Sequence, residues 1–211
     1  MINYVTDFEC RNLTLKLSDK ILFKDFQYKF SGPGIVQIEG ENGTGKSSLL
    51  KVFAGLIVTE NNNIKFSGFL PEQVGAGDFS FFTTTSLGLL SNLTGREHIE
   101  LFSKAIGINS NSVLDKILEF QEMEIFNEIL NKPVSDFSQG MKQFLRLFLH
   151  LFFQPKIVFL DEPFLYLSPK LKEFFQQKIE LMASDSLIFI TDQKFSWVPS
   201  TKRDKIILGE K

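Results

Sequence analysis

Residues Gly40-Glu41-Asn42-Gly43-Thr44-Gly45-Lys46-Ser47 spell G-x-x-x-x-G-K-S, and that pattern narrows the fold more than any other stretch of the chain. Such a loop works only where a buried strand enters it and a helix leaves it. Ile35-Val36-Gln37-Ile38-Glu39 is the short apolar run expected of the strand, and Ser48-Leu49-Leu50-Lys51-Val52-Phe53-Ala54 carries helix formers ahead of Gly55. Glycines let the backbone wrap closely around a phosphate, and the first amides of the helix point at the anion. Gly40 through Ser48 is therefore the expected nucleotide-contacting segment. Within it, Lys46 is placed to reach the β- and γ-phosphates of a nucleoside triphosphate, and the Ser47 hydroxyl to ligate Mg²⁺.

A chain of 211 residues suits one large domain, or one domain with a subdomain. Its 24 Phe carry more aromatic surface than water tolerates, so much of it must be buried in the core or against a partner. Lys and Arg total 23 against 25 Asp and Glu, and a net charge of −2 leaves no basic footprint for nucleic acid. A single cysteine, Cys10, excludes a disulfide framework and a cysteine zinc site. Residues Met1 to Asp7 lack the basic and apolar regions of a secretory signal. The apolar run Phe144 to Phe153 carries Arg146 and His150 and falls far short of the roughly twenty apolar residues of a membrane span. It predicts a helix buried on nearly every face, with His150 a core or groove residue rather than a ligand.

The rest of the chain reads as alternating structure. Strands are predicted at Val5–Cys10, Asn12–Leu17, Ile21–Phe30, Asn63–Ser67 and Phe79–Thr84, besides the one entering the loop. Helices follow: one opened by the capping-box spacing Thr94-Gly95-Arg96-Glu97, one over Ser112–Phe120, and one from about Ser138. Ile157–Leu160 and Leu187–Ile190 are continuous apolar runs of the kind buried parallel strands need. Ser168-Pro169 opens another helix, and Lys205–Leu208 forms a last strand. The fold class expected is α/β: a P-loop NTPase core, an N-terminal antiparallel β subdomain and an inserted helical subdomain. One domain, 1–211, would divide into a core with its β subdomain (1–85 and 154–211) and a helical part at about 86–153.

The strand Ile157–Leu160 ends in Asp161-Glu162-Pro163. Four apolar residues followed by two acids put the first carboxylate at the strand's end, where it ligates Mg²⁺, usually through water. The second is placed to accept the proton of an attacking water. Asp161 is thus the expected metal residue and Glu162, with Lys46, the expected catalytic pair.

Between the two halves lies Phe137-Ser138-Gln139-Gly140-Met141-Lys142-Gln143. The order of phosphate loop, this Ser-x-Gly segment and an apolar strand with Asp-Glu-Pro resembles the ATP-binding subunits of ABC transporters over nearly the whole chain. Asn92-Leu93-Thr94-Gly95-Arg96-Glu97-His98 resembles the start of that family's helical subdomain. The resemblance implies that Ser138, Gln139 and Gly140 contact ATP held by a facing subunit, in a homodimer or a heterodimer that sandwiches two nucleotides. It implies ATP and Mg²⁺ as cofactors, transmembrane permease subunits as partners, and a peripheral location on the cytoplasmic face of the inner cell membrane.

Several family positions are altered. Counting back from the helical subdomain puts Thr85 (or Thr84) where the family has a glutamine touching Mg²⁺ and water. Ser168 stands where an Asp usually follows Asp-Glu-Pro, Asp192 where a switch histidine meets the γ-phosphate, and no aromatic lies near Leu15–Leu17 to stack on adenine. Binding parts are kept while parts aligning water and γ-phosphate change, so slow hydrolysis is expected. The leading expectation is an exporter-like transport ATPase that works by ATP-driven dimerisation. Its compact length and a few residues (Asp161-Glu162-Pro163-Phe164, Thr191-Asp192-Gln193) are similar to the haem-exporter ATPases of cytochrome c maturation. The alternatives are a catalytically degenerate ATP-binding partner subunit and a soluble ABC ATPase without a transporter.

Overall fold

The computed structural model describes residues 7–17, 20–59, 63–75, 78–83, 88–105, 107, 124–152, 154–192 and 197–209. Five strands form one parallel sheet: β3 (Gly34–Gly40), β5 (Phe79–Thr83), β6 (Ile157–Asp161), β7 (Leu187–Thr191) and β8 (Arg203–Leu208), in the order β5-β6-β7-β3-β8. Register aligns their C-terminal ends, with Thr83 beside Asp161, Asp161 beside Thr191 and Thr191 beside Ile38. That edge of an open parallel sheet is where α/β folds bind ligands, because helix N-termini and loops converge there.

Both faces of the sheet are covered, which is why β6 and β7 are buried at every position and read as unbroken apolar runs. Alternate residues serve different cores. On one face Ile35, Val158, Leu160, Ile188 and Ile190 pack under α4 (Gln139–Phe152) and α5 (Pro169–Met182). On the other, Val36, Ile38, Phe159 and Phe189 pack under α1 (Lys46–Phe53) and the second sheet. The phenylalanines are largely spent here. Phe159 and Phe189 stack at 5.1 Å, Phe8 meets Phe189 edge-on at 4.7 Å, and Phe144 meets Phe175 at 5.3 Å.

The second sheet is antiparallel, in the order β2-β1-β4, from β1 (Phe8–Leu17), β2 (Lys20–Phe30) and β4 (Asn63–Phe66). Where two strands were expected, β1 is one, with an irregular register between Cys10 and Leu13 and Asn12 at φ 53°. A bulge absorbs the break without ending the ladder, and Asn tolerates positive φ.

Three helices pack together beside the core: α2 (Gly95–Ala105), α3 (Glu124–Asn131) and α4. The predicted capping box forms, with Thr94 N donating to Glu97 Oε2 at 2.7 Å and Glu97 N to Thr94 Oγ1 at 3.3 Å. The predicted helix at Ser112–Phe120 lies outside the described residues. His150 sits in a groove, its Nδ1 2.8 Å from Ser80 Oγ and its ring edge-on to Phe82; burial pushes its pKa down to about 4. Helices α2 and α3 approach so closely that a Cβ on Gly95 would lie 2.5 Å from the Ile129 carbonyl oxygen. Gly95→Ala is expected to cost about 1–3 kcal/mol by overpacking, read as a melting temperature several degrees lower. An unchanged melting temperature would show that the two helices separate without cost.

Candidate active site

The phosphate loop leaves the C-terminal end of β3 and enters α1 through Gly45, whose φ of 99° only glycine adopts without strain. A side chain there would also press on the Phe23 ring, 3.1 Å from the ideal Cβ. Among the described residues no side chain caps the start of α1, and its first turn holds no acid. Uncapped amides and the positive end of a helix are the elements of an anion site. Gly43 faces open space, and Glu41 and Asn42 are exposed. Thr44 Oγ1 donates to the Glu41 carbonyl at 2.8 Å and steadies the turn. Lys46 is buried, and its ammonium donates to the carbonyls of Gly40 (2.7 Å) and Glu41 (3.0 Å), which curls it back over the loop.

Ser47 Oγ donates to Asp161 Oδ1 at 2.9 Å, joining positions 114 residues apart. The same oxygen accepts from Thr191 Oγ1 at 2.8 Å. Glu162 follows at φ 50°, a left-handed conformation uncommon for a side-chain-bearing residue. Its amide donates to the Thr191 hydroxyl (3.0 Å) and carbonyl (3.2 Å). Two strands and one helix thus meet in a single hydrogen-bonded unit. Among the described residues no cluster of three or more His, Cys, Asp or Glu holds a metal. One carboxylate with one hydroxyl still suits Mg²⁺, which keeps waters and borrows substrate oxygens rather than filling a protein cage.

Ser138 caps α4, accepting from Met141 N at 3.2 Å, while Ser138 and Gln139 face solvent. Gly140 abuts the loop after β6, since a Cβ there would lie 3.0 Å from the Tyr166 carbonyl oxygen. Gln143, buried in the apolar helix, donates to the Pro163 carbonyl at 2.8 Å. The start of α4 is therefore held against the loop after β6 of its own chain, by the bond from Gln143 and the close approach at Gly140.

Asp192 faces the ammonium of Lys172 on α5 at 4.0 Å, and that ammonium lies 5.5 Å from the Phe164 ring centre. Thr85, Thr84 and Gln193 lie outside the described residues. Thr191, Gln143 and Lys172 were given no role from sequence. A Thr closing an apolar strand run and a lone Gln at the head of an apolar helix are the signals that could have marked the first two, though not their partners.

A family model described as ABC transporter matches residues 23–165. YybJ of Bacillus subtilis, an uncharacterized ABC transporter ATP-binding protein, is 35% identical over 161 residues, covering 74% of this chain and 70% of its own. The cytochrome c biogenesis ATP-binding export protein CcmA of Vibrio parahaemolyticus is 28% identical over 220 residues, covering 96% of this chain and 99% of its own. A Pyrococcus furiosus structure assigned as an ABC transporter ATP-binding protein superposes with a TM-score of 0.75 at 19% identity. It covers 94% of this chain and 96% of that one, a likeness of fold.

Proposed function

The chain belongs to the ABC transporter family, and from that premise we propose that it is the ATP-hydrolysing subunit of an exporter-like membrane transporter, working by ATP-driven dimerisation. ATP binding and hydrolysis are general in the family. The hydrogen bond from Ser47 to Asp161 carries the reading, because it joins the phosphate loop to the carboxylate strand.

In this reading Gly40 to Ser48 wrap the phosphates and the α1 amides meet their oxygens. Lys46 turns from its two carbonyls to the β- and γ-phosphates. Ser47, Asp161 and, on family grounds, Thr85 would hold Mg²⁺; when bound, the ion neutralises charge on the phosphate oxygens. Glu162 takes a proton from the attacking water as its oxygen bonds to the γ-phosphorus. The bond to the β-phosphate oxygen then breaks, releasing ADP and phosphate. Ser138, Gln139 and Gly140 close over ATP bound by the facing subunit, for which their outward position is suited. The domain is read as a core (1–85, 154–211) with a helical part at about 86–153, through which it docks on permease subunits. No helix among the described residues is long and apolar enough to cross a membrane. Attachment to the cytoplasmic face is thus assigned to those partners, in a homodimer or with a second ATPase subunit. Isolated from membranes, the chain is expected to bring a polytopic protein with it, and that complex to turn over ATP. A chain that purifies alone at full turnover would favour the soluble alternative.

The ion pair of Asp192 with Lys172 favours a second reading, a slow or degenerate ATPase paired with a better-equipped subunit. An ionised carboxylate gives the γ-phosphate no hydrogen bond, whereas a histidine donates one to the growing charge. Asp192→His is expected to raise turnover of the complex about tenfold, worth about 1.4 kcal/mol of barrier, and Thr85→Gln to add to it. Turnover no higher than that of the parent would shift the alignment of water to Glu162 or Gln193.

A further inference from the structure

We propose that Thr191 is the positioning residue that sets Asp161 and Glu162 as a unit, an inference resting on the roles given to those carboxylates above. Its side chain is fully buried, so it touches no substrate and acts through its neighbours. One hydroxyl does two tasks. It donates to Asp161 Oδ1 at 2.8 Å and accepts from the Glu162 amide at 3.0 Å. The first bond fixes which way the Asp161 carboxylate turns. The second, beside the bond from the same amide to the Thr191 carbonyl, holds Glu162 in its left-handed turn, and that turn decides where the Glu162 side chain leaves the strand.

The arrangement matters most once a cation is present. Ser47 and Thr191 both donate to Asp161 Oδ1 while the site is as described. A cation held by the Ser47 and Asp161 oxygens would repel the Ser47 hydroxyl proton, and that bond would be given up. Thr191 then remains to orient the carboxylate. It stands on β7, between Asp161 on β6 and the strand that enters the phosphate loop, in register with Asp161 on one side and Ile38 on the other. Hydrogen-bond partners that orient a metal-binding group cost about 10–100-fold in metal affinity or activity when removed.

The test compares Thr191→Val, which keeps the branched shape and removes the hydroxyl, with Thr191→Ser, which restores it. Both are measured in the complex isolated with its membrane partners. Thr191→Val is expected to bind a fluorescent ATP analogue normally in EDTA, and to need several times more Mg²⁺ for half-maximal turnover. Its kcat should fall about 10–100-fold with KM nearly unchanged, and Thr191→Ser should recover most of that loss. A Val variant with normal kcat and Mg²⁺ demand overturns the proposal, as does a Ser variant as impaired as Val. Should the Val variant not fold, Thr191→Ala against Thr191→Ser makes the same comparison. Asp161→Asn and Glu162→Gln separate the two levels. If these also turn over normally, the underlying reading fails; if only they are impaired, Thr191 alone is acquitted of its role.

Discussion

Glu162→Gln is expected to lower steady-state ATP turnover by about 10²–10⁴-fold, the usual worth of a positioned general base. The substitution keeps the side chain's size and removes only its ability to take a proton. The two hydrogen bonds that hold the residue run from its backbone amide to Thr191, so the turn at φ 50° survives. Ser47, Asp161 and Lys46 are likewise untouched, so ATP binding should persist. A site that binds but does not cleave should accumulate the closed dimer. In size-exclusion chromatography with light scattering, the variant with ATP is expected to associate at lower protein concentration than the parent. If ATP promotes association in neither protein, nor in the complex with membrane subunits, the sandwich mechanism is wrong.

Lys46→Ala should have an effect of similar size on binding itself. A buried ammonium meeting phosphate oxygens makes charge-assisted hydrogen bonds about twice as strong as neutral ones. Its loss is expected to weaken ATP at least about a hundredfold, close to 3 kcal/mol. The loop itself should hold, because the Glu41 carbonyl keeps the Thr44 hydroxyl and amide as donors when Lys46 is gone. Calorimetric titration with ATP, beside an unchanged melting curve, would separate lost contact from lost fold. Parent-like affinity would remove Lys46 from the phosphates.

What could be read from the chain beforehand was whatever neighbours in sequence encode. The phosphate loop, the Thr94–Glu97 box and the Ser168 cap, which accepts from Leu171 N at 3.4 Å, are each built within a few residues. Asp161 was legible for a related reason, since an apolar run must end at the sheet edge. The α3 helix was passed over because eight residues give a weak periodic signal, although Phe126, Ile129 and Leu130 are buried. The ties of Thr191 to Asp161, Gln143 to Pro163 and Lys172 to Asp192 were hidden, because each joins two elements. Which strand becomes whose neighbour is decided by the packing of the whole sheet, and no single segment announces it.

The strand order has a consequence for the chain while it is being synthesised. β3, which carries the phosphate loop, pairs on one side with β7 and on the other with β8. Synthesis therefore delivers the loop well before its supporting ladder, which waits until residues 187–191 and 203–208 have left the ribosome. Until then β3 presents two open edges, and such distant pairings form slowly. ATP cannot rescue a partial product, since Ser47 must wait 114 residues for Asp161. Ligand stabilisation, about 2.7 kcal/mol at a hundredfold excess over Kd, reaches only the finished sheet. The nascent chain must be sheltered by something other than its own nucleotide.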